Sequence, residues 1–174
     1  MGPGDPIDVV IEIPKGSRNK YEFDHAAGVM RLDRRLFSAT TYPADYGYIP
    51  NTLAEDGDPL DALVVLEDAT FSGCWVMARP LGVFFMEDER GRDAKIICVL
   101  HGDPMWEKVE DIEQLPSQLL AEIRHFFDVY KMLEPNKEAT TTGYGGLDAA
   151  LEEIDSAFRR EQRGQSPSER RPDH

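Results

Sequence analysis

The period of the apolar positions changes part-way along the chain. Over the first hundred or so residues they alternate with polar ones or form short blocks, the patterns of strands buried on one face or on both. "DVVIEIPKG" alternates until Pro14 and Gly16 break it, and "NKYEFDHAAGVMRLDRRLF" predicts two strands joined at a turn containing Gly28. Further apolar blocks, "DALVVL", "CWVMARPLGVFFM" and "AKIICVL", are separated by Gly, Pro and charged clusters. Short strands at this spacing predict a small barrel. After Pro116 the period lengthens. Leu119, Leu120, Ile123, Phe126, Phe127 and Tyr130 recur at helical spacing, so "PSQLLAEIRHFFDVYKML" predicts an amphipathic helix packed on the barrel. A second helix is predicted through Leu147, Leu151, Ile154 and Phe158, with acidic residues early, Arg159 and Arg160 late, and Gly164 just beyond. The fold class is therefore α+β, mainly β.

The 174 residues suit one core, so residues 1–163 are expected to form a single domain. "GQSPSERRPDH", residues 164–174, has no apolar anchor and is expected to be a disordered tail. No apolar run approaches the roughly 18 residues of a membrane span, and the start "MGPGDPIDVV" lacks the pattern of a secretory signal. A cytoplasmic protein without a membrane partner is the expectation. Cys74 and Cys98 each lie in an apolar run and read as small packed thiols rather than ligands or a bridge.

Charge changes the picture more than composition does. With 33 acidic against 19 basic residues the formal net charge is -14, which argues against nucleic acid as a partner, because that affinity comes from Lys and Arg neutralising phosphates. The carboxylates concentrate in two stretches, "EDGDPLDAL" and "MEDERGRDAK", each between predicted strands. In extended chain, residues two apart point the same way, so Asp56 and Asp58 share a side; Gly57 and Pro59 shape that turn, and Asp61 enters the next strand. Asp88 and Asp93 bracket Gly91, with Lys95 following. Acidic loops are commonly just solvated. If the two met at one barrel mouth, however, the repulsion would need divalent cations, and magnesium suits a few carboxylates with water and phosphate oxygens. An EF-hand calcium loop is excluded by Leu60 and Pro59.

Basic and aromatic residues narrow the reading. Lys20, Arg34, Lys95 and Lys131 occur beside acidic or aromatic residues at the ends of predicted elements, which suits a pocket for a small polyanion. Tyrosines in "TYPADYGYI", and Tyr130, are either hydrogen-bond donors to that anion or packing residues. Two other classes stay open at this point: an OB-fold nucleic-acid module, which the acidic residues oppose, and a metal buffer without catalysis, which leaves the four cations unexplained.

"IEIPKGSRNKYE", "YPADYGYI", "DGDPLD", "EDERGRDAK" and "HFFDVYK", in that order, resemble the motifs of the family I soluble inorganic pyrophosphatases, in particular the bacterial, actinobacterial-like form. The resemblance spans about residues 7 to 135. It implies a five-stranded, OB-like closed barrel with flanking helices, hydrolysis of pyrophosphate to two orthophosphates, several Mg²⁺ ions per site with Mn²⁺ or Zn²⁺ as possible substitutes, and a homohexamer. It implies metal ligation by Asp56, Asp61, Asp88, Asp93 and Glu22, and Asp58 as the residue that takes a proton from the attacking water. Substrate binding falls to Lys20, Arg34, Tyr46, Lys95, Tyr130 and Lys131, with Glu12, Tyr42 and Glu89 in supporting positions. Two metal ions about 3.5–4 Å apart would lower the pKa of a shared water, which explains why aspartates crowd an already acidic chain. The family's usual aromatic and basic continuation after Lys131 is replaced by "NKEATTTGYGGLD", so the path of 132–146 is open. Arg90 has no assigned role, and His25 reads as an exposed turn histidine near the site, where actinobacterial relatives also carry histidine.

Overall fold

Residues 1–165 are described in the computed structural model. Strand β1 (Ile7–Ile13) buries Ile7, Val9, Ile11 and Ile13 and pairs antiparallel with β4 (Asp45–Tyr48), which pairs with β5 (Asp61–Val65). β5 runs parallel to β7 (Gly91–Leu100), β7 pairs antiparallel with β6 (Trp75–Asp88), and β6 returns to β1. The ring β1-β4-β5-β7-β6 is the expected five-stranded barrel. β6 is long enough, at 14 residues, to serve two partners, and it is irregular at Pro80 to Gly82, where a proline without an N–H is tolerated in a strand. Its first part pairs with β1 and its second with β8 (Ala139–Gly145). The hairpin β2 (Asn19–Asp24) and β3 (Val29–Arg35) is a separate two-stranded sheet, turned at Gly28 with φ 69°.

β5 and β7 read as continuous apolar runs because both their faces are covered. Ala62, Val64, Ile96 and Cys98 join a cluster with Ala150, Ile154 and Ala157 of α2 (Leu147–Gln165). Leu63, Val65, Ile97 and Val99 join another with Ile123, Phe126 and Phe127 of α1 (Ser117–Val129). Asp111 accepts a hydrogen bond from the Leu147 N–H at 3.1 Å, meeting one of the free donors at the start of α2.

Two expected helix ends are corrected, and one open stretch is placed. α1 stops at Val129 rather than continuing to Leu133; Pro135 disfavours helix in the residue before it, and Asn136 at φ 60° reverses the chain. The open path of 132–146 becomes β8, a strand at the sheet edge. α2 passes through Gly164 to Gln165 rather than stopping before the glycine, since a single exposed glycine weakens a helix by only about 1 kcal/mol. The rest of the expected tail, 166–174, lies outside the described residues. Among the described residues no helix is long and apolar enough to cross a membrane.

Candidate active site

The floor of the site follows from strand register. Parallel pairing sets Asp61 of β5 opposite Lys95 of β7, and Asp93, two residues earlier, faces the same way. The Lys95 Nζ donates to Asp61 Oδ2 at 3.0 Å, to Asp93 Oδ2 at 3.0 Å and to the Tyr46 hydroxyl at 2.8 Å. Lys95 is only 2% exposed and its ammonium lies 5.1 Å from the ring centres of both Tyr46 and Phe127. Burial works against charge here, but Asp61 and Asp93 outweigh it and hold Lys95 as the ammonium. Burial also pushes Asp93 above the usual carboxylate range, against the pull of Lys95.

One wall is the acidic loop between β4 and β5. Thr52 closes its base: its hydroxyl donates to the Ile49 carbonyl and accepts from the Leu60 N–H at 2.9 Å. Within the loop Ala54 N–H donates to the Asp58 carbonyl at 2.7 Å, Gly57 takes φ 89°, and Asp58 N–H donates to Asp56 Oδ1 at 3.0 Å. Asp56 is raised, chiefly by burial, with Asp93 and Asp58 adding repulsion. The β6–β7 turn lies against this loop, with Asp88 opposite Gly91 and Arg90 reaching across to Asp58.

The facing wall is basic. Lys20 of β2 and Arg34 of β3 are register partners, and both bond Asp33. Glu134 braces Arg34 from behind with two contacts, 2.6 Å to Nε and 3.2 Å to Nη2. Lys131 approaches Asp88 at 3.8 Å, and burial lowers its pKa. These walls enclose about 240 Å³, lined by every expected site residue except Tyr42. Tyr42 is buried behind Tyr46, with ring centres 5.4 Å apart, and packs on Phe126. It supports the site without lining it. His25 is exposed at the rim, edge-on to Phe23 and Tyr48.

The family model described as inorganic pyrophosphatase matches residues 9–162. The chain belongs to the inorganic pyrophosphatase family. It is 53% identical to the inorganic pyrophosphatase of Streptomyces coelicolor over 88% of this chain and 94% of that one. The Thermus thermophilus inorganic pyrophosphatase structure matches with a TM-score of 0.88 at 44% identity, covering 93% of this chain and 97% of that one. The Helicobacter pylori inorganic pyrophosphatase structure gives a TM-score of 0.89 at 44% identity, covering 91% and 95%.

The expected carboxylates line one cavity, but their convergence is incomplete. Among the described residues no three His, Cys, Asp or Glu side chains stand close enough to close around a metal ion as they are. The reason is visible in the site: Lys95 occupies the space between Asp61 and Asp93, and Arg90 holds Asp58. The donors nonetheless fit a hard divalent ion, being all carboxylate oxygens, with Asp56 and Asp93 raised by burial and by repulsion from neighbouring carboxylates that a cation would relieve.

Sequence reasoning missed several neighbours. Asp33 and Glu134 hold Lys20 and Arg34; Lys137, 3.3 Å from Glu89, supplies a basic group after Lys131 after all; Arg90 bridges the two acidic segments. The lysine in "PNKEA" was the available signal for Lys137; Asp33 falls at the β2–β3 register break, where simple alternation would have set it away from Arg34, and Glu134 had no signal.

Glu12 gives a pH prediction. Its carboxylate accepts from the Phe23 N–H at 2.8 Å, yet burial, with help from Asp61 and Glu22, pushes it up from 4.5 to about 7. A raised folded-state value favours the fold while the group is protonated, and that advantage is lost as pH rises through about 7. In chelator, Glu12→Gln should therefore be more stable than the parent at pH 8.5 by up to about 3 kcal/mol, with most of the gain gone at pH 5. Thermal melts at the two pH values decide it; an equal difference at both would refute the argument.

Proposed function

We propose that the protein hydrolyses inorganic pyrophosphate to two orthophosphates, using several Mg²⁺ ions per site, with Mn²⁺ or Zn²⁺ able to substitute. The observation that carries this reading is the opposition of the two walls: clustered aspartates face Lys20, Arg34 and Lys131 across a cavity sized for a small anion. Asp56, Asp61, Asp88, Asp93 and Glu22 would hold the metals, whose bound form supplies a water of lowered pKa and positive charge for the phosphate oxygens. Asp58 takes the proton from the attacking water. Lys20, Arg34 and Lys131 bind and orient phosphoryl oxygens, while Tyr46 and Tyr130 donate hydrogen bonds to them. Lys95 turns part of its charge from Asp61 and Asp93 towards the substrate. Glu12 and Glu89 steady the rim and Tyr42 backs Tyr46. Residues 1–163 act as one pyrophosphatase domain, and a homohexamer in the cytoplasm is the assembly and compartment we assign. The acidic lining weighs against a nucleic-acid module, which needs a basic groove.

The test is phosphate release from pyrophosphate. Release is expected with Mg²⁺ and is expected to be absent in chelator; Ca²⁺ should not replace Mg²⁺, because its larger, looser shell holds ligands at other distances. No phosphate with any of the three activating ions would overturn the reading.

A further inference from the structure

We propose that Arg90 is a positioning residue, a two-pronged strap from the β6–β7 turn that sets where Asp58 stands before metal or substrate arrives. This rests on the hydrolytic reading above. Asp58 has main-chain ties, but among the described residues Arg90 is the hydrogen-bond partner of its carboxylate: Nη1 donates to Asp58 Oδ2 at 2.6 Å. The other prong, Nη2, donates to the Asp56 carbonyl at 2.7 Å and so holds the adjoining peptide. The anchor is itself fixed, since the Arg90 N–H donates to Asp88 Oδ1 at 2.8 Å. The guanidinium thus ties Asp58 and the Asp56 peptide, and the main-chain N–H of the same residue ties Asp88, joining two segments about thirty residues apart.

An exposed ion pair alone holds little in place, because two flexible side chains lose entropy to meet. Arg90 and Asp58 are 51% and 55% exposed, so simple charge attraction is a weak account of the contact. A planar guanidinium spanning two acceptors is different: its donors are already in the required fork, and less freedom is lost per bond. Lysine carries the same charge on a single flexible ammonium and is a poor substitute for that fork. Position matters because a misplacement of about 1 Å at a reacting group costs on the order of a hundredfold in rate.

The test uses Arg90→Ala and Arg90→Lys in the full chain. For Arg90→Ala, kcat should fall about tenfold with KM for pyrophosphate changed less than about twofold, the pattern of a group needed in the transition state rather than for binding. Arg90→Lys should recover only part of kcat. Melting should stay within about 2 °C, as for a surface substitution. A readout free of metal and activity is amide exchange in chelator, where Gly57 and Asp58 should exchange about tenfold faster in Arg90→Ala with the barrel unchanged. Unchanged exchange in that loop would overturn the strap. So would a raised KM at constant kcat, which would make Arg90 a substrate ligand, a raised kcat, which would make it a brake, or a large fall in melting temperature. If the parent enzyme releases no phosphate, the hydrolytic reading fails, while the exchange result still decides whether the strap exists.

Discussion

Asp58→Asn should leave a folded protein whose kcat for pyrophosphate is lower by about two to four powers of ten, the range expected when a general base is lost. Asparagine has the same shape but cannot take a proton from water near neutral pH. The main-chain bonds that shape the loop, Ala54 N–H to the Asp58 carbonyl and Asp58 N–H to Asp56 Oδ1, do not depend on the Asp58 side chain. The side chain is 55% exposed, so the melting temperature should move little, the usual change at such a position being within about 0.5 kcal/mol. The substituted amide can still accept from Arg90, which keeps the loop in place and separates lost chemistry from lost position. Steady-state kinetics with saturating Mg²⁺ and a thermal melt on the same sample check both halves. Full activity would remove Asp58 from the role of base; inactivity with a collapsed melt would mean that the residue holds the fold.

The contrast between Asp58 and Lys95 also explains which parts of the site could be read from residue order. Asp56, Asp58 and Asp61 crowd into one short stretch, and like charges so close advertise an unusual requirement. The barrel strands were legible because their apolar positions follow the two-residue repeat of a pleated strand, or run on where both faces are covered, as in β5 and β7. β8 was not, because "ATTTGYG" is small, polar and half-exposed, and its place beside β6 comes from tertiary pairing rather than from an apolar stripe of its own. The same holds for register. Nothing local says that Asp61 lies opposite Lys95 across 34 positions of chain, yet that parallel pairing decides where the buried cation stands. Glu134 was invisible for a related reason: its carboxylate matters only once the turn after α1 delivers it behind Arg34, a hundred residues away in sequence.

Lys95→Met should be the most destabilising single change at the site in the metal-free protein. Methionine keeps most of the volume between the Tyr46 and Phe127 rings, so the loss is one of charge and hydrogen bonds more than of packing. Asp61 and Asp93 would then face each other without a cation, Asp93 being 8% exposed and already pushed up by burial. Removing one partner of a buried ion pair typically costs about 3–5 kcal/mol, or roughly 10 °C in melting temperature for a chain of this size. Two conditions should return part of that loss. Lowering the pH lets a carboxyl bind a proton: a raised folded-state pKa favours the fold at low pH and loses that advantage as pH rises, so the deficit should be larger at pH 8 than at pH 5. Mg²⁺ should raise the melting temperature of Lys95→Met more than that of the parent, since an ion that binds only the folded state stabilises it by mass action and here also replaces the missing positive charge. If Lys95 serves the substrate as proposed, activity should stay low even where stability returns, because the ammonium at the floor of the cavity is gone. A deficit that is the same at both pH values and unaltered by Mg²⁺ would mean that Lys95 is a packing residue, and the balance of charge assigned to Asp61, Asp93 and Lys95 would be wrong.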